Sequence, residues 1–161
     1  MLVDFKEMPK TARVWIYQSD KYFSDEEVQK IASKIENFIE NWNNHGEGLK
    51  ASYQIKYNHF IVLTVDENFK SASGCSIDSS VQLIKQIENE FQTDLFNKLN
   101  ISFKNGEHIN IVTMADFQKY AKENKINADT IVFNNMVNSI KDFETNWEVE
   151  ARDSWHARFV D

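Results

Sequence analysis

Apolar and polar positions along this chain change period several times, and each change marks an element. Val28, Ile31, Ile35, Phe38, Ile39 and Trp42 recur at helical spacing on one face. Ser24 and Glu27 precede them in the arrangement of a capping box, which predicts where that helix begins. Gly46 can take the left-handed conformation that terminates helices, so the end is expected near Asn44. Ahead of this helix, Arg13 to Gln18 (RVWIYQ) forms a short β-branched and aromatic run that predicts a strand. After it, Ala51, Tyr53, Ile55 and Tyr57 alternate with Ser52, Gln54 and Lys56, the period of a strand with one buried face. A tight connection at Asn58 and His59 leads into Phe60 to Val65, apolar enough for a central strand.

A loop over 66–74 then delivers a second helix with the stripe Ile77, Val81, Ile84, Ile87 and Phe91. Beyond a connector at 95–99, the stretches 101–104 and 107–112 flank Asn105 and Gly106, a strong two-residue hairpin signal. A third helix is predicted after Thr113, burying Phe117, Tyr120 and Ala121. The stretch 130–137 reads as strand or helix, 140–146 as helix, and the last dozen residues as irregular but aromatic.

Through residue 104 the order is strand, helix, strand, strand, helix, strand. That succession predicts an α+β fold with a ferredoxin-like βαββαβ core. Both helices should cover one face of an antiparallel sheet, with the hairpin as an added edge strand. We expect one domain over 1–161, with a core at 13–125 and a helical or irregular C-terminal extension at 126–161. In this topology the end of the first helix and the start of the second share one end of the sheet. His45, Cys75 and Asp78 should meet there, joined by Arg13 and His108, while His59 lies at the opposite turn.

Composition narrows the classes of function. The chain is 42% apolar and 13% aromatic, enough for a sizeable core, and its net charge is −7. The lysines are dispersed and no basic stripe is visible, which argues against nucleic-acid binding. No window reaches the ~20 apolar residues of a membrane helix, and residues 1–10 lack a signal peptide's pattern, so membrane insertion is not expected and a cytoplasmic location is. A single cysteine fits a reducing compartment.

The segment Ser73, Gly74, Cys75, Ser76, Ile77, Asp78 stands where the second helix should begin. A helix start has unpaired amide groups and the positive end of the dipole, so it favours a thiolate or an anion. Cys75 is thus a candidate nucleophile with His45 or His108 as base, against the simpler reading of a small apolar side chain that serves packing. Ser73, Gly74, Ser76, Asp78 and Arg13 are candidate ligand-binding residues, against the simpler reading of helix capping. Asp78 would repel an anion. The histidines, His45, His59, His108 and His156, show no metal-ligand spacing, and no metal or cofactor is expected. Gly46, Gly48 and Ala51 match GxGxxA in spacing but run from helix to strand, the wrong order for a dinucleotide site. Trp147, Trp155, His156, Arg158 and Phe159 give an aromatic tail suited to covering a groove as a lid.

Trp42 with His45 and Gly46, the SGCSID run at 73–78, the VFNN run at 132–135 and the SWHARF ending at 154–159 resemble a family of small flavobacterial and related Bacteroidetes proteins. Members often carry the label ABC transporter ATPase. The resemblance spans nearly the whole chain and implies no catalytic residues. The label conflicts with the sequence, which has no GxxxxGK[ST] loop to hold nucleotide phosphates. Two expectations follow: a non-catalytic domain binding a small anionic ligand or a protein partner at 73–78, or a thiol-dependent enzyme built on Cys75. Open strand edges add the expectation of a homodimer.

Overall fold

Phe60–Val65 is buried at all six positions, the mark of a strand with both faces covered and a neighbour on each side. In the computed structural model, which describes residues 1–160, this strand is the centre of a three-stranded antiparallel sheet. The chain divides into two compact units, Met1–Phe96 with Asn138–Ile140, and Asn97–Val137 with the residues from Lys141 onward. The boundary thus falls at Asn97, inside the expected 13–125 core. It falls there because the strand that follows finds its partners in a sheet of its own.

In unit 1, β1 (Arg13–Gln18) leads to α1 (Asp25–Asn41), a two-strand ribbon of β2 (Asn43–Asn44) and β3 (Glu47–Gly48), then β4 (Ala51–Lys56), β5 (Phe60–Val65) and α2 (Gly74–Phe91). The sheet order is β1-β5-β4. Helix α1 starts at the capping box: the Ser24 hydroxyl accepts from the Glu27 amide and the Glu27 carboxylate accepts from the Ser24 amide. It buries Ile31, Ile35 and Ile39. They join Phe23, Trp42, Ile61, Leu63, Val65, Ile84, Ile87 and Phe91 in the core between helices and sheet.

The buried face of α2 is rotated from the expected stripe: it carries Ser76, Ser80, Leu83, Ile84, Ile87 and Phe91, with Val81 only half-buried. The two serines can be buried because each donates its hydroxyl to a carbonyl, Ser76 to Asn43 and Ser80 to Ile77. Helix α1 also ends earlier than expected. Its last residue is Asn41, Trp42 is already extended, and His45 and Gly46, both at positive φ, form the turn of the β2–β3 ribbon. Two consecutive positive φ values are the pattern of a type I′ hairpin turn.

In unit 2, β6 (Asn100–Asn105) and β7 (His108–Thr113) form a hairpin, followed by α3 (Met114–Lys122), β8 (Ile131–Phe133), α4 (Ile140–Asn146), whose first residue counts with unit 1, and β9 (Glu148–Glu150). The sheet order is β7-β6-β8-β9. The hairpin loop is Gly106 and Glu107, with only Gly106 at positive φ, one residue later than the expected Asn105 and Gly106. Here β6 is not a fourth strand beside β1: it pairs with β7 and β8, so the expected single βαββαβ sheet is replaced by two antiparallel sheets. The aromatic ending forms short 3-10 turns, and Trp155, Phe159 and Val160 pack on a core of Ile101, Phe103, Phe117, Ile126, Val132 and Ala151. No helix among the described residues is long and apolar enough to cross a membrane.

Candidate functional site

The end of α1 and the start of α2 are tied together by two hydrogen bonds. The Trp42 indole donates to the Ser76 carbonyl at 2.8 Å, and the Ser76 hydroxyl donates to the Asn43 carbonyl at 2.8 Å. Because that hydroxyl proton goes to Asn43, the 2.9 Å contact between the Ser73 and Ser76 hydroxyls is donated by Ser73. The Ser73 oxygen in turn accepts from the Ser76 amide, capping α2. This chain fixes the corner where the two helices meet, and it uses the very hydroxyls that looked available to a ligand. Ser76 is buried at 3% exposure, which places it under the surface of the site.

Beside this corner lies a cleft of about 650 Å³ between the helices. One wall is Lys34, Asn37, Phe38 and Asn41 of α1; the other is Cys75, Ser79, Gln82, Leu83 and Gln86 of α2; Asn43, His45 and Ser73 close the end near Trp42. The lining holds no carboxylate. Lys34 is its one permanent cation, and its ammonium lies 2.6 Å from Glu90. Phe38 and Trp42 meet at 5.1 Å with their rings tilted by 41°, an aromatic pair among the carboxamides of the lining.

Of the expected site residues, Cys75, His45 and Ser73 line this cleft, with Ser76 at its base. Cys75 is exposed in the first turn of α2. Gly74 opens that helix and is exposed. Asp78 is exposed and outside the lining, as is Arg13, whose guanidinium sits 3.5 Å from Glu67 and 4.7 Å over the Trp15 ring. His108 belongs to unit 2, exposed on β7 opposite Asn105, and lines no part of the cleft. The aromatic tail contributes no residue to the lining either; its rings serve the core of unit 2.

His59 is buried next to the Ser19 carbonyl, with Nδ1 at 3.3 Å, and burial holds its pKa below the ordinary histidine range despite the carbonyl's opposing pull. His156 is buried completely, its Nδ1 2.7 Å from the Ser154 hydroxyl and its ring stacked 3.9 Å from Trp155. Burial, reinforced by the Arg158 charge, pushes its pKa down to about 4.

Lys34, Asn37, Asn41, Gln82 and Gln86 were not singled out from sequence. A signal was present: 34, 37, 41 and 75, 79, 82, 86 are two helical stripes of mainly uncharged polar residues in a chain that is 27% charged. Among the described residues no group of three or more His, Cys, Asp or Glu side chains is placed to hold a metal. Compared with models of known families, with curated proteins and with solved structures, the chain gives no match.

Proposed function

We propose that this chain is a non-catalytic binding domain whose α1–α2 cleft takes a small anionic ligand. One observation carries the reading: in a chain of net charge −7, a cleft of about 650 Å³ is lined by carboxamides, hydroxyls, Lys34 and His45, with no carboxylate. The volume lies in the range of small-molecule sites, and an apolar floor with a few polar groups is their usual make-up. Carboxamide N–H groups can donate to phosphate or carboxylate oxygens without adding charge of their own. Addition of inorganic phosphate, phosphate esters or carboxylates should therefore raise the melting temperature. At a hundredfold excess over Kd the gain is about 2.7 kcal/mol, or several degrees. Asn41→Ala combined with Gln82→Ala should abolish the rise. If no phosphate or carboxylate shifts the transition, the small-anion reading fails, leaving a protein partner as the occupant.

Cys75 and His45 lining one cleft favours a second reading, a thiol-dependent enzyme with His45 as base. Its test is the alkylation rate of Cys75 against pH. A midpoint well below ~8.5 that rises in His45→Ala supports it, and an ordinary midpoint indifferent to that substitution removes it.

The same proposal extends to ancestry and place. The order β1-β5-β4 is that of the first three strands of a ferredoxin-like layer, and Asn138–Ile140 bonds to β1 where the fourth strand of such a layer would lie. We read unit 1 as a shortened relative of that layer. We likewise place the chain in the Bacteroidetes family it resembles, acting in the cytoplasm, with ATP hydrolysis outside the reading because a nucleotide-phosphate loop is missing from the sequence.

A further inference from the structure

Open sheet edges invite additional strands, and proteins blunt them with charges, prolines or covering segments. Three of the four edges of the two larger sheets are treated in that way. The outer side of β1 is occupied at its start, where the Val14 amide donates to the Asn138 carbonyl at 3.0 Å and Arg13 bridges Ser139. The outer side of β4 begins with a parallel bridge from Leu2 to Ala51 and ends on Lys56. On the second sheet β9 is three residues long and carries Glu148 and Glu150.

The fourth edge is different. β7 (HINIVT) is six residues long, without a proline or a Lys, Arg, Asp or Glu side chain, and among the described residues no strand pairs with its outer side. In the β6–β7 ladder the pair Asn105↔His108 closes the two-residue loop, so the hydrogen-bonded pairs are those of Asn110 with Phe103 and Val112 with Ile101. The alternate residues, Ile109, Ile111 and Thr113, direct their amides away from β6. Val112 turns its side chain to the core of unit 2, which leaves Ile109 and Ile111 half-buried on the other face.

We propose that β7 is a dimerisation edge, on which a second copy of this chain adds its own β7 antiparallel across a two-fold axis at Ile111. The outward set is symmetric about that residue. With Ile111 opposite Ile111 of the second copy, 109 meets 113 and 113 meets 109, so each outward amide faces an outward position of the other strand. Thr113 caps α3, and its carbonyl is committed to starting that helix, which leaves about four backbone hydrogen bonds between the copies. The isoleucine side chains at 109 and 111 then form one cross-strand apolar ladder. A second copy suits this edge better than an unrelated strand on two counts. The register is self-matching, as an isologous contact requires, and the uncharged strip lets two chains of net charge −7 meet without facing like charges in β7.

Sedimentation equilibrium on the full chain tests this. The expected mass is twice 18.9 kDa. Ile111→Pro deletes the central outward amide without touching the β6 ladder, and Ile111→Lys places a charge on the axis. Both variants should sediment at 18.9 kDa with an unchanged circular dichroism spectrum. Ile55→Lys, on the edge strand of the other sheet, should leave the dimer intact. If Ile111→Pro disturbs folding, Ile111→Lys carries the test alone. A monomeric wild-type chain, or a dimer that survives the Ile111 substitutions, overturns the proposal.

Discussion

Between pH 7 and pH 5 the protein is expected to lose about 2 kcal/mol of stability through His156 alone. The folded-state pKa of about 4 lies below the ordinary histidine value of 6.5, so in this interval the unfolded chain takes up a proton that the folded chain refuses. Stability is complete above the unfolded value and falls as pH drops towards the folded one. The physical cause is burial: the ring has no accessible surface and lies between Trp155 at 3.9 Å and Phe117 at 5.7 Å. Its Nε2 is buried without an acceptor, and the Arg158 charge adds repulsion, so nothing offsets the cost of charging it. Urea titrations at the two pH values should show the loss in the wild type and a drop smaller by about 2 kcal/mol in His156→Gln. His59, also held low by burial, contributes in the same direction to both proteins and cancels in the comparison. An equal drop in wild type and variant would show that His156 does not set the acid limit.

His156 also illustrates what a sequence can and cannot convey. A histidine among aromatics at a terminus reads as part of a covering tail, and nothing in its neighbours says which core those rings enter. By contrast, elements whose signals are local were legible. The capping box at Ser24 and Glu27, the α1 stripe, the central position of Phe60–Val65 and the extent of α4 all follow from propensity and period over a few residues. The division into two sheets was not legible, because the period of a strand says which face is buried but not which strand lies alongside. β6 alternates equally well for either sheet, and its choice rests on the adjacent hairpin partner and on β8, nearly thirty residues further on.

The cleft shows the same split at finer scale. That the end of α1 and the start of α2 share a corner follows from strand order alone, and it brought His45 and Cys75 to one place. The rotation of α2 did not follow, because counting only large apolar side chains treats serine as a surface residue. Ser76 and Ser80 face inward since local carbonyls satisfy their hydroxyls, and that turn of the helix carries Gln82 and Gln86 to the cleft wall. Asp78 and Arg13 lie outside the lining for related reasons. Asp78 sits on the solvent side of the rotated helix, and Arg13 is drawn to Glu67 and the face of Trp15.

Trp42→Ala is expected to cost about 3–5 kcal/mol. Trp42 is 3% exposed, packs against Phe38 with ring centroids 5.1 Å apart, lies 6.5 Å from Trp15, and sends its indole N–H to the Ser76 carbonyl. Truncation removes the ring, opens a void and leaves that carbonyl without its donor. The loss should also be felt at the cleft, since the indole forms part of its lining and fixes the start of α2 against the end of α1. Trp42→Phe separates the two contributions. It keeps an aromatic ring but not the donor, so its cost should lie nearer 1–3 kcal/mol, the penalty of a buried unpaired polar group. If the hydrogen bond positions α2, Ser76→Ala should cost less than either, because the backbone carbonyl that accepts from Trp42 survives while only the hydroxyl's bonds to Asn43 and Ser73 are lost. Denaturant midpoints in the order wild type, Ser76→Ala, Trp42→Phe, Trp42→Ala are therefore expected. A Trp42→Ala protein as stable as Ser76→Ala would show that the corner is held by the sheet and not by the indole.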